Sequence, residues 1–392
     1  RPAQLAHRAW RRLEHRGLVW TGARKYHQLA QQAPPPLREA FDVRPLFDAR
    51  LAAASQRLRH QGRAAAILAG QFTYLNQQHH LPDPIDWDWT GRAAPSLLWR
   101  FHLHYQDELF DLAARAEQPE GPADDAPTSA DPAACLRRAA DLVRQWIAGN
   151  RPGSSRALAD AWHPYCIARR LPNWIMLKEV LDRTAIAPPE EMLSSLFAQA
   201  QFLADHLEWD LGGNHLLENL KSLLLAGAFF SGETADGWLD RSDEWLRDQL
   251  DEQILPHGEH FERSPMYHAQ MLQLVLDVRD AARTLRPALA ERCNDAAQTM
   301  AAFLAAIRHP DGRIPLWGDS TYDGCPGVDA LLAQIDERAM GAPIGDVGLH
   351  RFREKVDQEE HRRITADSQR RPDAGVAAHH GLLQSQPPEG GG

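Results

Sequence analysis

The sequence predicts an all-α protein built from helical hairpins stacked side by side, as a solenoid or a toroid. Three observations carry that prediction. From Leu97 onward, segments with apolar residues at helical spacing follow one another with short turns between them. No alternation of strands and helices, such as a parallel sheet would need, interrupts the run. Ala and Leu dominate the periodic positions, as close packing of helix on helix prefers.

Before Leu97 the pattern is weaker. Residues 1–33 read as a basic amphipathic helical region, ended by Pro34-Pro35-Pro36. Residues 46–60 read as a short helix, and Ala64 to Leu75 as an apolar patch, a short strand or a buried turn. Trp87 and Trp89 sit in a loop rich in Pro and Asp. The segment 1–95 is expected to pack on the helical body.

The body spans 96–345. Its first helix places Leu98, Phe101, Tyr105, Leu109 and Leu112 along one face, with Arg100, His102 and His104 as polar members. Residues 116–131, rich in Pro, Ala, Asp and Gly, read as a loop. Helices are expected at 132–149, 162–183, 190–208, from Asn214 onward, 233–254, 265–286, 288–308 and 326–340. His309-Pro310-Asp311-Gly312 is a turn, and Ile314 to Ser320 reads as extended. The tail at 346–392 is too poor in apolar residues to bury a core and is expected to be poorly ordered.

Chemistry concentrates between Glu208 and His268. Gly212 and Gly213 break one helix, and Asn214 and His215 open the next. Asn214 is either an N-cap for that helix or a site residue. A second helix starts at Pro265 with Ser264 as cap, which puts Tyr267 and His268 in its first turn after Glu262 and Arg263. Helix mouths offer unpaired N–H donors and a positive dipole end. Two such mouths, one carrying Asn-His and the other Arg-Tyr-His, suit an acidic ligand.

A formal net charge of -10 and the lack of a basic cluster interleaved with aromatics argue against a nucleic-acid partner. They do not argue against an anionic substrate, because a local cluster of Arg and His can override net charge. No run is long and apolar enough for an integral membrane segment. The four cysteines are scattered without metal-ligand spacing, so no metal and no cofactor is expected. Most of the 12 Trp residues are assigned to the core.

Five runs in this order resemble the N-terminal domain of the heparinase II/III-like family of polysaccharide lyases: LLWRFHLHYQDEL, WHPYCIARRLPNWI, GGNHLLENLKSLLLAGAFF, ILPHGEHFERSPMYHAQML and RIPLWGDS. The resemblance implies an incomplete α/α toroid, followed in the family by a β-sandwich domain that supplies a further catalytic histidine. Nothing after Leu349 matches such a domain, so the chain is expected to be truncated or altered there. The implied reaction is β-elimination on a uronate polysaccharide, of heparan, alginate or capsular type. Asn214 and His215 would neutralise the sugar carboxylate. Tyr267 would be the acid, and also the base when both atoms lie on one face of the sugar, with Arg263 and His268 as the cationic neighbours that lower its pKa.

Further contacts expected along the cleft are Arg100, His102, Tyr105, Trp162, His163, Tyr165, Glu262, Arg263 and His268. The resemblance also implies the periplasm or cell envelope. Two other classes compete. One is a non-catalytic acidic-glycan binder or scaffold. The other is a toroid glycoside hydrolase drawing a carboxyl pair ~5–9 Å apart from Glu259, Glu262 and Asp319.

Overall fold

A computed structural model of the chain describes residues 17, 23–58, 62–89, 93–117, 130–153 and 155–335. The tail at 346–392, most of the loop at 116–131, the start of the N-terminal helical region and the end of the 326–340 helix lie outside the described residues.

The first elements bounded among the described residues are α1 (Arg24–Gln31), α2 (Arg44–Leu58) and α3 (Gly62–Leu68). An antiparallel hairpin follows, β1 (Gln71–Tyr74) paired with β2 (Gln77–His80). Its two turn residues, Leu75 and Asn76, both hold positive φ, as a tight hairpin turn with the right twist requires. The apolar patch at 64–75 therefore resolves into a short helix and a strand, and the strand's partner QQHH gave no apolar signal.

The helical body runs through α4 (Leu97–Tyr105), α5 (Asp107–Glu117), α6 (Pro132–Gly149), α7 (Ser155–Ala159), α8 (Pro164–Asp182) and α9 (Met192–Asp205). It continues through α10 (Gly213–Phe229), α11 (Glu233–Gln253), α12 (Pro265–Ala282), α13 (Pro287–Ile307) and the short α14 (Val328–Leu332). Successive helices pair as hairpins, α5 with α6, α10 with α11 and α12 with α13. The pairs stack through α8 on α10 and α10 on α12.

Local sequence sets several helix starts. Ser96 accepts from the Trp99 amide at 3.3 Å at the head of α4. Asp131 accepts from the amides of Ala133 and Ala134, with Pro132 in the first turn of α6. Ser264 and Pro265 play the same parts at α12. These side chains satisfy N–H groups that the helix itself leaves unpaired.

Two expectations need correction. The helix from Leu97 is not continuous: Gln106 adopts φ 53 and separates α4 from α5. Its buried Oε1 accepts from Trp174 Nε1 at 2.6 Å. Trp99 and Leu103 face inward and Leu98 is 53% exposed, while Tyr105, Leu109 and Leu112 of the expected face are buried. Helix α10, whose Leu216, Leu217, Leu220, Leu223, Leu224 and Gly227 read from the sequence as one apolar face, is not amphipathic either. Every residue from Leu216 to Phe229 is buried, because neighbours close on it from several sides. Its partner α11 comes so close that a Cβ at Gly227 would stand 2.8 Å from Ala235 O.

Enclosing α10 brings charge into the core. Lys221 Nζ lies 2.5 Å from Glu218 and 3.7 Å from Asp277, and Asp277 lies 2.7 Å from Arg50 on α2. Arg170 on α8 is fully buried and, among the described residues, pairs with no carboxylate. It donates to Gln199 Oε1, His104 O and Ala161 O and sits 3.9 Å over the Trp146 ring. Burial pushes its pKa down to about 9. Trp99, Trp146, Trp174 and Trp238 are the largest side chains of the core.

Candidate active site

The first helix mouth is the start of α10. Its N-cap is Gly212 at φ 65, followed by Gly213 at φ 53. Asn214 is therefore the second residue of the helix and not its cap. Among the described residues its half-buried amide makes no hydrogen bond, so it is available to a ligand.

His215 follows, one third exposed, with its ring 4.3 Å from that of Tyr165. Its Nδ1 lies 3.3 Å from Oε1 of Glu208, a carboxylate with no exposed surface. Asn219 clamps that glutamate from one turn further along α10. Its Nδ2 donates to Glu208 Oε2 at 3.0 Å, and its Oδ1 accepts from the Glu208 amide at 2.9 Å. Burial alone would raise the Glu208 pKa. The hydrogen bonds from His215 and Asn219 and the nearby His163 outweigh it and hold the carboxyl below its ordinary range.

Rings continue this wall. His163 caps α8, its Nδ1 accepting from the Tyr165 amide at 3.3 Å, and its ring lies 4.9 Å from Phe101. Tyr165 meets Tyr105 at 5.7 Å, and Tyr105 meets His102 at 5.0 Å. Arg169 stands over the Tyr105 ring at 5.7 Å, held by Asp107 at 3.5 Å and Glu218 at 3.8 Å. Burial pushes the hydroxyls of Tyr105 and Tyr165 well up and the His102 imidazole down, so all three favour their neutral forms.

The second mouth is the start of α12. Ser264 Oγ caps the Tyr267 amide at 3.5 Å and meets Ser320 Oγ at 3.1 Å. Ser320 Oγ also accepts from the Met266 amide at 3.2 Å, which pins Gly318-Asp319-Ser320 beside the helix start. The two mouths adjoin. A Cβ built on Gly213 would stand 2.9 Å from Glu262 Oε1. Gln253 ties them together, donating from Nε2 to Gly213 O at 3.1 Å and accepting the Phe261 amide on its own carbonyl at 2.9 Å.

Residues 134–331 match the family profile of the heparinase II/III N-terminus, which is half of the chain. The chain belongs to the heparinase II/III-like family. Among curated proteins it is 24% identical over 196 residues to a heparin-sulfate lyase of Bacteroides thetaiotaomicron, covering 46% of this chain and 27% of that protein. It is 26% identical over 160 residues to the heparin-sulfate lyase of Pedobacter heparinus, covering 36% and 24%. It is 28% identical over 197 residues to FtsZ-localized protein C of Caulobacter vibrioides, covering 50% and 30%.

The crystal structure of the heparan sulfate lyase HepC from Pedobacter heparinus superposes with a TM-score of 0.52 at 18% identity, over 75% of this chain and 44% of that one. A crystal structure of heparinase III gives 0.50 at 20% identity, over 67% and 40%. The stacked hairpins are thus the incomplete α/α toroid of this polysaccharide-lyase family. The chain spans less than a third of the length of each curated relative named here.

Within this heparinase II/III-like chain, several expected contacts are taken up by the fold. Trp162 is 2% exposed, its Nε1 donating to Asn150 O at 2.7 Å, so its ring faces the core and cannot stack on a sugar. Arg100 is tied to Asp160 at 2.9 Å and to Pro95 O at 2.8 Å, with a largely buried side chain. His268 is 1% exposed and bridges inward, its Nδ1 accepting from the His260 amide and its Nε2 donating to Met300 O. Burial holds it neutral, with a pKa down at about 4.

His268 therefore cannot lower the pKa of Tyr267. Burial, then Asp319 and Glu262, push that phenol up and so favour its protonated form. Glu259 is 3% exposed, too enclosed to serve a hydrolase pair at the surface. Glu262 and Arg263 remain half-buried at the mouth itself. The residues that sequence reasoning missed are Glu208, Asn219 and Arg169. A signal existed only for Asn219, a polar side chain near the start of an otherwise apolar helix. Among the described residues no group of His, Cys, Asp and Glu is arranged to hold a metal, and no helix is long and apolar enough to cross a membrane.

Proposed function

We propose that this chain is the toroid part of a lyase that opens uronate-containing polysaccharide by β-elimination. The observation that carries the reading is the contact of Gly213 with Glu262, which brings the Asn214-His215 mouth and the Tyr267 mouth to one place. The proton at C5 of a uronate is a poor acid beside an ionised carboxylate. Asn214 and His215 would face that carboxylate, so charge can spread into it as the proton leaves. The C5–H electrons then form the C4–C5 double bond, the C4–O bond breaks, and the departing oxygen takes the proton of Tyr267.

Burial and the carboxylates beside Tyr267 disfavour a phenolate, which supports a separate group as the base. The resemblance assigns that part to a histidine of the domain that follows in the family. His102, His163 and Tyr165 would line the sugar-binding wall, with the buried Tyr105 packed behind them and Glu262 and Arg263 at the mouth. Heparan sulfate is the first polymer to test, given the names of two relatives, with alginate and capsular uronates next. The periplasm or cell envelope is the compartment proposed. The test is ultraviolet absorbance of unsaturated uronate ends. Tyr267→Phe should abolish their formation while leaving polymer binding in place, and full activity in that variant would overturn the reading.

A second reading has one observation in its favour. The relative in Caulobacter vibrioides is named for localisation with FtsZ and not for a reaction. On this reading the chain binds acidic glycan without turnover, and the same assay would show retention of polymer and no unsaturated product.

A further inference from the structure

We propose that Glu208 is a positioning residue that locks His215 into the tautomer with its proton on Nδ1, so that Nε2 is the atom that meets the ligand. The argument is one of donors and acceptors around a single oxygen. Glu208 Oε1 has two imidazole nitrogens near it, Nδ1 of His215 at 3.3 Å and Nδ1 of His163 at 3.9 Å. His163 Nδ1 already accepts the Tyr165 amide as the cap of α8, so it holds a lone pair there and has no proton to give. The other oxygen, Oε2, takes the amide of Asn219. An ionised carboxylate has no proton to donate. The hydrogen bond between Glu208 and His215 can therefore run in one direction only, from His215 Nδ1–H to Oε1.

The arrangement is rigid where it matters. The Glu208 side chain has no exposed surface, and Asn219 grips both its carboxylate and its backbone amide. His215 is braced on its face by the Tyr165 ring. With Nδ1 engaged, a neutral His215 presents a lone pair at Nε2, which repels a carboxylate. To meet a sugar acid through a hydrogen bond, Nε2 would have to carry a proton as well, with the buried carboxylate behind the ring as its counter-charge. The same logic makes a buried carboxylate orient the histidine of a serine-protease triad.

What Nε2 meets rests on the lyase reading, while the state of the ring does not, so two measurements separate them. The first is the nitrogen spectrum of the chain labelled with ¹⁵N-histidine, without polymer, at a pH where the ring is neutral. His215 should show a protonated Nδ1 and a bare Nε2. Glu208→Gln keeps the shape but offers Nδ1 an amide donor, so the tautomer should invert. A wild-type ring protonated on Nε2, or a tautomer unchanged in Glu208→Gln, would overturn the proposal.

The second measurement is turnover of heparan sulfate. Glu208→Gln should lose roughly 10²–10⁴-fold in kcat/KM, with Glu208→Asp recovering part of it. A Glu208→Gln variant with wild-type turnover would refute the positioning role. No product on any uronate polymer from wild-type protein that also carries the base-supplying domain would sink the lyase reading instead, while the nitrogen spectrum still decides the tautomer. If Glu208→Gln does not fold, the wild-type spectrum alone tests the assignment.

Discussion

Glu262 Oε1 stands 2.9 Å from where a side chain on Gly213 would begin, although 49 positions separate the two residues. Gly213 is required twice over. Its φ of 53 is the left-handed conformation that costs an L-residue about 1–2 kcal/mol, and the Glu262 carboxylate fills the space beside it. Gly213→Ala should lower stability by about that amount in chemical denaturation. The clash itself is cheap, because the tip of Glu262 can swing away. It would swing away from the mouth of α12, so activity should fall further than the stability loss explains.

The proton held by Tyr267 predicts a pH profile. An acid catalyst works while it is protonated, and burial with Asp319 and Glu262 moves this phenol upward. The alkaline limb of kcat/KM should therefore lie above the ordinary phenol value of ~10. Removing a negative neighbour with Glu262→Gln should bring that limb to lower pH. An alkaline limb near neutrality, insensitive to Glu262→Gln, would assign the proton to another group.

Asn214 separates capping from catalysis. The cap position belongs to Gly212, and the Asn214 amide has no backbone partner among the described residues. Asn214→Ala should thus leave stability within about 0.5 kcal/mol, as for a substitution that breaks no buried interaction. Turnover should drop by far more. A loss near 1 kcal/mol or greater with normal turnover per folded molecule would restore the capping role.

What was legible in the sequence was local. Ser264-Pro265 announces a helix start because a cap acts within three residues of itself. The helix-after-helix run was legible for the same reason, since periodicity is a property of one segment. What escaped depends on partners far along the chain. Gln106 ends a helix because its side chain accepts from Trp174. Trp162 and His268 share motif blocks with site residues, yet one faces Asn150 and the other Met300. Spacing tells which residues share a face, and only tertiary packing tells which way that face points. Glu208 was missed because a lone glutamate before a Gly-Gly break carries no pattern until Asn219 and His215 fold back onto it.

His268 makes the last prediction, one of stability against pH. In the folded chain its pKa is down at about 4, against ~6.5 for an unfolded histidine. Between those values the unfolded chain binds a proton that the folded chain refuses, so stability falls as pH drops through that window. The gap corresponds to roughly 3 kcal/mol by pH 4. His260, pushed to about 3 by burial and by His268, acts in the same direction. Carboxylates held low, such as Asp107 and Asp277, also weaken the fold in acid, so the wild-type curve alone cannot isolate the histidine. His268→Gln can. Glutamine keeps one acceptor for the His260 amide and one donor for Met300 O, but it does not take up a proton. Urea denaturation from pH 7 to pH 4 should show the variant less stable at neutral pH, with a shallower decline. Parallel curves for the two proteins would mean that His268 is not the buried neutral group described here.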